Sequence, residues 1–89
     1  MQKGRPTRIR ILIVDDSEAI VSLMWLALNS SHGIKVIGSA CNGADAVERA
    51  DEILPDVVVM DVEMPIMDGL EATRRIKRAY PAVAVVLVS

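Results

Sequence analysis

Short apolar runs alternate with longer segments of helical spacing along this chain, and the alternation limits the folds available to it. The runs are rich in Val and Ile, which indicates strands buried in a sheet. The segments between them begin near polar capping residues, and the second ends before Pro55. Single helices between successive strands imply right-handed crossovers and a parallel α/β sheet. The predicted strands span residues 8–14, 34–40, 57–60 and 83–88, and the predicted helices span residues 18–28, 43–54 and 70–80.

The spacing of apolar residues within each helical segment predicts the side that packs on the sheet. Asn42 is predicted to cap the second helix and Asp68 the third. The fourth strand, which is wholly apolar, is predicted to be buried. The inward residues are predicted to be Ile20, Leu23, Met24, Ala27 and Leu28 in the first helix, Val47, Ala50, Ile53 and Leu54 in the second, and Leu70, Ile76 and Ala79 in the third.

Length, charge and cysteine content exclude several classes of protein. A chain of 89 residues forms one domain at most, and its net charge of −2 argues against a nucleic-acid partner. No apolar run reaches the roughly 18 residues of a membrane helix. The start lacks an apolar signal segment, and Cys41 is the single cysteine, so we expect a cytoplasmic location.

Residues 1–7 are predicted to be an irregular basic leader, and residues 8–89 are predicted to form the domain.

Acidic and hydroxyl residues stand at the ends of the predicted strands. Asp15 and Asp16 follow the first strand, Asp61 the third and Ser89 the fourth. Ligands of open parallel sheets bind at the carboxyl ends of strands. If the first and third strands are neighbours, carboxylates about 5 Å apart repel by roughly 3 kcal/mol, and a cation offsets this repulsion. Oxygen ligands suit Mg²⁺, and a carboxylate beside a metal suggests phosphoryl chemistry.

Each of these residues also has a structural alternative. Asp15 or Asp16 could cap the first helix, a role compatible with metal binding because a carboxylate has two oxygens. Asp61 could cap a turn, although its place after a buried strand argues for function. Ser89 is uninformative by itself.

Three sequence blocks stand out: Ile-Leu-Ile-Val-Asp15-Asp16-Ser17, Pro55-Asp-Val-Val-Val-Met-Asp61, and Met64-Pro65-Ile-Met-Asp68-Gly69-Leu70. Together they resemble the response-regulator receiver family over residues 8–89. The resemblance implies a flavodoxin-like, doubly wound sheet with strand order 2-1-3-4-5, the first helix on one face and the second and third on the other.

The resemblance implies a role for each matching residue. Asp61 would be the phosphoacceptor, and Asp16 and Asp61 would bind Mg²⁺ directly. Asp15 would act mainly through a bound water, and the backbone carbonyl of Glu63 would be a third protein ligand. Ser89 would be the switch hydroxyl that moves to the phosphoryl oxygen. The donor would be a phosphohistidine of a sensor kinase or a small acyl phosphate, and the domain would catalyse both the transfer and its later hydrolysis.

The chain departs from the family pattern at its end. The family has a fifth strand with a Lys that contacts the phosphoryl group, and two further helices, which this sequence lacks after Ser89. We therefore expect an incomplete piece of a longer protein, with weak Mg²⁺ binding and poor phosphorylation. The fourth strand would be an exposed apolar edge, which favours a homodimer or strand exchange.

Three functions and several output activities are compatible with the sequence. The leading prediction is a phosphoacceptor receiver. One alternative is a receiver-like domain that acts by protein contact without phosphate. A further alternative is a phosphatase with an Asp nucleophile, for which Asp61-Val62-Glu63 is only an approximate match. The blocks look similar to receivers fused to a chemotaxis methylesterase, to receivers fused to DNA-binding domains and to stand-alone receivers.

Overall fold

The β-branched runs form a parallel sheet in a computed structural model that describes residues 8–89. The sheet has the order β2-β1-β3-β4, and each pair is parallel. This order confirms the predicted fold class. The leader predicted at residues 1–7 lies outside the described residues. The elements are β1 (Ile9–Val14), α1 (Glu18–Asn29), β2 (Ile34–Ala40), α2 (Gly43–Ile53), β3 (Val57–Asp61), α3 (Gly69–Ala79) and β4 (Ala84–Val88).

Strand β1 is the centre of the fold because its two faces contribute to two separate cores. Leu12 and Val14 point to the side of α2 and α3, where they pack with Ala46, Ala50 and Ile76. On the other face Ile11 and Ile13 pack with Val36 and with the inner side of α1. One helix therefore covers one face and two helices cover the other, as the family resemblance implied. Among residues 8–89, no helix is both long and apolar enough to cross a membrane.

The predicted inner face of α1 is partly wrong. Ile20 and Leu23 are 42% and 64% exposed, and Ala27 is exposed as well. Val21 and Trp25 instead pack on the sheet together with the correctly predicted Met24 and Leu28. Most positions of this helix are apolar. The hydrophobic pattern therefore could not distinguish the face that contacts β1 and β2 from the face that contacts solvent.

Two helix ends also differ from the predicted faces. Leu54 lies beyond α2 with a φ of 47°, so its side chain points away from the helix face and is exposed. In α3 the inward pair is Ala72 and Ile76, one turn apart, whereas Leu70 and Ala79 are exposed. Ala72 is buried in the core between α2, α3 and the sheet, and an inward alanine is not marked by the apolar spacing of this helix.

The prediction that the fourth strand is buried is wrong, whereas the expectation of an exposed apolar strand agrees with the structure. Strand β4 pairs with β3 along one edge and lies at the edge of the described sheet. Val86, Leu87 and Val88 are exposed, with Val86 at 49%. Val83, just before the strand, is its buried contact with the core.

The carboxyl-terminal parts of α2 and α3 are joined by side chains. The hydroxyl of Tyr80 donates a hydrogen bond to Asp51 Oδ1, and because this bond needs the phenolic proton, it raises the pKa of Tyr80. On the outer face of α3, Arg75 and Arg74 donate to Glu71 and hold the pKa of that carboxyl below its usual range. The Tyr80–Asp51 bond therefore joins the end of α3 to α2, whereas the Glu71 pairs lie within α3.

Arg10 connects the start of β1 to the end of α2. Its guanidinium donates to the carbonyl oxygens of Leu54 at 2.6 Å and Ile53 at 2.7 Å. Its backbone N–H donates to Asp56 Oδ2 at 2.8 Å, and the Asp56 N–H donates back to the Arg10 carbonyl. A cation at a helix C-terminus also interacts favourably with the helix dipole. Arg10 therefore fixes α2 against the strand that carries Asp15 at its other end.

Replacing Arg10 with Ala should lower the free energy of unfolding by about 1–2 kcal/mol, because the α2 carbonyls lose charged donors. Urea unfolding followed by circular dichroism measures this change. Arg8→Ala removes the same charge from an exposed position two residues away and should change stability by less than about 0.5 kcal/mol. Equal losses in the two variants would contradict a specific capping role.

Candidate metal centre

The register of β1 and β3 brings their acidic ends side by side. Val14 pairs with Met60, so the next residues, Asp15 and Asp61, leave the sheet at the same height. Parallel strands place both carboxyl ends at one edge, and the buried positions of Val14 and Met60 fix the direction of each chain. Asp16 follows before α1 begins.

The three predicted carboxylates converge at this edge. Asp15, Asp16 and Asp61 each offer an oxygen, and these oxygens lie within 4.8 Å of one another. Asp15 and Asp61 are half-buried and Asp16 is exposed. Two carboxylates at this spacing repel by about 3 kcal/mol at an effective dielectric constant near 20. A cation between them would convert the repulsion into attraction.

Backbone N–H groups orient two of the carboxylates. Asp15 Oδ1 accepts from Ser17 N at 2.9 Å, and Asp61 Oδ1 accepts from Glu63 N at 3.2 Å. A carboxylate has further acceptor positions after one such bond, so both side chains can still bind a ligand. One oxygen of Asp61 therefore makes the turn contact that the structural alternative proposed. Its other oxygen is left for chemistry.

The residue that caps α1 is Ser17. Its hydroxyl oxygen accepts from Ile20 N at 3.3 Å. The alternative that Asp15 or Asp16 caps this helix is therefore wrong, and Asp16 is available at the cluster. The predicted caps of the other helices are confirmed, because Asn42 Oδ1 accepts from Asp45 N and Asp68 Oδ1 accepts from Glu71 N. Asp68 thus has a structural role outside the acidic cluster.

Glycine at position 69 allows α3 to begin directly beside Asp61. Gly69 N donates to the Val62 carbonyl at 2.9 Å. A Cβ at this position would overlap the carbonyl oxygen of Asp61 and lie 3.0 Å from Val62 Cα. The sequence did not predict this close contact. An Asp-Gly dipeptide indicates a turn, but it does not indicate which strand the turn lies against.

Glu63 and Ser89 lie at the same edge of the sheet. Glu63 and Asp16 line one side of an open cleft together with residues of the loop after β3. Ser89 follows Val88, which pairs with Asp61 and whose carbonyl accepts from Val62 N at 3.0 Å. Ser89 is exposed. The structure therefore places all five sequence-predicted site residues around the ends of β1, β3 and β4.

A second cleft, which the sequence did not predict, opens on the other side of Asp15 and Asp16. It adds Glu18, Asp45 and Cys41 to the surroundings of the cluster. Cys41 N donates to Asp45 Oδ2 at 3.3 Å, so this carboxylate is turned toward the β2–α2 connection. The extra acids increase the negative potential around the cluster.

The donor set fits a hard divalent cation. The cluster consists of carboxylate oxygens, without the imidazole or thiolate ligands that softer metals prefer. Mg²⁺ commonly takes one or two carboxylates and keeps several waters, and the exposure of Asp16 leaves room for water. The residues present therefore suit Mg²⁺.

Comparison with known proteins decides the family. The model of the response regulator receiver domain matches residues 11–89. The chain belongs to the response regulator receiver domain family. The match confirms the predicted receiver function and places the chain in two-component signalling; it does not favour a receiver-like domain that works by contact alone.

Curated relatives of this receiver are longer proteins. The chain is 51% identical over 73 residues to protein-glutamate methylesterase/protein-glutamine glutaminase 1 of Methanosarcina acetivorans, covering 82% of the chain and 21% of that protein. It is 42% identical over 81 residues to the response regulator GacA of Pseudomonas viridiflava, covering 91% of the chain and 38% of GacA. The chain thus spans less than two-fifths of either relative.

Solved receivers share its fold. The response regulator domain of Thermotoga maritima CheB superposes with a TM-score of 0.88 at 41% identity, covering 92% of this chain and 60% of that one. CheY of Borrelia burgdorferi, in a CheX–CheY complex with BeF₃ and Mg²⁺, gives a TM-score of 0.82 at 29% identity, covering 91% and 61%. The fold that positions the acidic cluster is therefore that of receivers.

Replacing Asp16 with Asn should raise the melting temperature in chelator, because one of three mutually repelling charges is removed. The same change should abolish most of the Mg²⁺-dependent stabilisation, which for the wild type is about 1.4 kcal/mol at ten times the dissociation constant. Thermal unfolding with and without Mg²⁺ measures both effects.

Glu48→Gln is the matched control, since it removes one exposed carboxylate from α2. It should leave the Mg²⁺-dependent gain unchanged. An Asp16→Asn variant that gains as much stability from Mg²⁺ as the wild type would exclude Asp16 from the centre.

Proposed function

We propose that Asp61 is the phosphoacceptor of this receiver and that Mg²⁺ binds beside it. The observation that supports this assignment is the convergence of Asp15, Asp16 and Asp61 within 4.8 Å. Asp61 is the last residue of β3, which lies between β1 and β4, so its backbone is held in place at the end of the sheet. A nucleophile needs such a fixed position. We assign the receiver unit to residues 8–89.

We propose that the side chains divide the work of metal binding. Asp16 and Asp61 bind Mg²⁺ directly, Asp15 acts mainly through a water, and the Glu63 backbone carbonyl is a third protein ligand. The Ser17 N–H fixes one oxygen of Asp15 and leaves its second oxygen to accept from a water. The hydrogen bond from Glu63 N to Asp61 keeps Glu63 adjacent to the acceptor.

In the transfer step, a carboxylate oxygen of Asp61 forms a bond to phosphorus as the phosphorus–nitrogen bond of a phosphohistidine breaks. The electron pair of that bond goes to the donor imidazole, which takes up a proton. The Glu63 N–H fixes the rotation of the Asp61 carboxylate during attack. When bound, Mg²⁺ supplies positive charge that stabilises the transferring phosphoryl oxygens. Ser89 then donates its hydroxyl proton in a hydrogen bond to a phosphoryl oxygen and switches the output.

We propose a sensor histidine kinase as donor, with a small acyl phosphate as a second source. We propose an output domain that is either a methylesterase, the activity named for the Methanosarcina acetivorans relative, or a DNA-binding domain, or else a receiver that works alone. A cytoplasmic location fits the exposed thiol of Cys41, which suits a reducing compartment.

Asp61→Asn should abolish covalent phosphorylation, because an amide does not attack phosphorus as a carboxylate does. Incubation with a small acyl phosphate and Mg²⁺, followed by intact mass, measures the adduct. Asp68→Asn is the control, since Asn caps a helix about as well as Asp and Asp68 lies outside the cluster. A wild-type chain that shows no adduct at saturating Mg²⁺, or an adduct that persists in Asp61→Asn, would refute the assignment.

Beryllofluoride distinguishes the competing functions. A phosphoacceptor receiver should bind it at Asp61 in a Mg²⁺-dependent manner, and a contact-only domain should not bind it. An Asp-nucleophile phosphatase should in addition release phosphate from monoesters with many turnovers, a reaction that we do not expect here.

We further propose that β4 is a contact for a second copy of the chain. The strand lies at the edge of the described sheet with Val86, Leu87 and Val88 exposed, and an apolar edge strand is a template for pairing. Val86→Lys should raise the dimer dissociation constant at least about ten-fold, because a charge at the edge opposes pairing. Sedimentation equilibrium measures this constant.

Leu23→Lys on α1 is the control, since it places the same charge on another exposed apolar residue. It should leave dimerisation unchanged. A wild-type chain that stays monomeric at high concentration would contradict pairing through β4.

A further inference from the structure

The loop between β3 and α3 contains a strained turn. Ile66 has a φ of 72°, and Met67 N donates to the Pro65 carbonyl at 2.8 Å, which defines a γ-turn with positive φ at its centre. A β-branched residue rarely adopts this conformation. The Ile66 side chain is 83% exposed, so it makes no buried apolar contacts that would offset the strain. Such a turn persists only where its surroundings hold it.

The first residue of α2 holds this turn. Gly43 N donates to the Met67 carbonyl at 2.9 Å. The first N–H groups of a helix have no partner within the helix, and they point along the positive end of its dipole. The donor on Gly43 thus meets an acceptor that the γ-turn presents toward α2.

Only glycine fits at this contact. A Cβ on residue 43 would overlap the Met67 carbonyl oxygen and would come within 2.8 Å of the Met67 carbonyl carbon and 2.9 Å of its Cβ. Two of these three atoms are backbone, so a rotamer change of Met67 cannot relieve the clash. Any larger residue must push the loop away from α2.

The same loop carries the groups that orient the acceptor. Glu63 N donates to Asp61 Oδ1, and Gly69 N donates to the Val62 carbonyl, so the loop is tied to the acidic cluster at its start and to α3 at its end. Few residues separate Glu63 from Met67, and one of them, Pro65, has a restricted φ. A displacement at Met67 is therefore transmitted to Glu63.

We infer that Gly43 is a positioning residue of the metal centre: through Met67 it sets the loop that places Glu63 beside Asp61. The inference rests on the proposed function and extends it to α2, an element that contributes no ligand. Gly43 acts on metal affinity through the loop and does not touch the reacting atoms.

The test compares Gly43→Ala with Gly38→Ala in the 89-residue chain. Both glycines are buried, but a Cβ on Gly38 meets only the ends of the Arg49 and Ile53 side chains, at 3.2 Å, together with Leu12 Cδ1 at 3.7 Å. The readout is the Mg²⁺ dependence of Asp61 phosphorylation by a small acyl phosphate. Gly43→Ala should raise the half-saturating Mg²⁺ concentration about ten-fold, as outer-shell changes do, and keep the rate at saturating Mg²⁺ within about two-fold. Gly38→Ala should leave the half-saturating concentration unchanged.

The outcomes separate the two claims. If the wild type is phosphorylated at Asp61 and Gly43→Ala has the wild-type Mg²⁺ dependence, or if Gly38→Ala raises the half-saturating concentration equally, the role of Gly43 is refuted and the proposed function stands. If the wild type takes no phosphate, the proposed function fails and the inference fails with it.

Amide exchange in the wild type keeps the inference testable if Gly43→Ala does not fold. The Gly43 N–H should exchange slowly with solvent, and more slowly still with Mg²⁺ and beryllofluoride bound, because the loop is then held at both ends. Exchange at the rate of an exposed amide, or no change on ligand binding, would overturn the inference.

Discussion

Electrostatic repulsion among three carboxylates at one edge of the sheet is the constraint on which the site depends. The pairing of Val14 with Met60 places Asp15 beside Asp61, and the start of α1 brings Asp16 to within 4.8 Å of both. The buried strands β1 and β3 hold the three carboxylates in this arrangement. A bound cation would offset the repulsion among them. The arrangement therefore favours the binding of a cation at the carboxyl ends of β1 and β3.

Short-range hydrogen bonds give the acidic cluster its orientation. Backbone N–H groups of Ser17 and Glu63 hold the Asp15 and Asp61 carboxylates. Behind them, Gly69 lets α3 begin against the Asp61 backbone, and Gly43 lets α2 contact the loop between β3 and α3. Gly43 and Gly69 have no side chain that could bind a ligand. Their small size nevertheless determines how closely α2 and α3 approach the site.

The residue pattern was sufficient for the strands and for the members of the acidic cluster, and the family resemblance supplied the strand order. The β-branched runs mark the strands, and Asp61 follows one of them directly, so its location at the end of the sheet was predictable. The exposure of β4 was not visible in its apolar pattern. The inner face of α1 was not predictable, because Leu23 and Trp25 are both apolar and only the neighbouring strands select Trp25. Ser17 was chosen over two adjacent acids as the helix cap by backbone geometry. Gly43 was predicted only as the first residue after the Asn42 cap, and its contact with Met67 depends on a loop that is distant in sequence.

Anomalous diffraction from a crystal grown with Mn²⁺ in place of Mg²⁺ measures the position of the cation directly. A single strong peak bounded by carboxylate oxygens of Asp16 and Asp61, with Asp15 in reach through a water, is the result we predict. A peak elsewhere on the molecule, with the three carboxylates turned apart and hydrated, would contradict the metal-assisted receiver chemistry proposed for this chain.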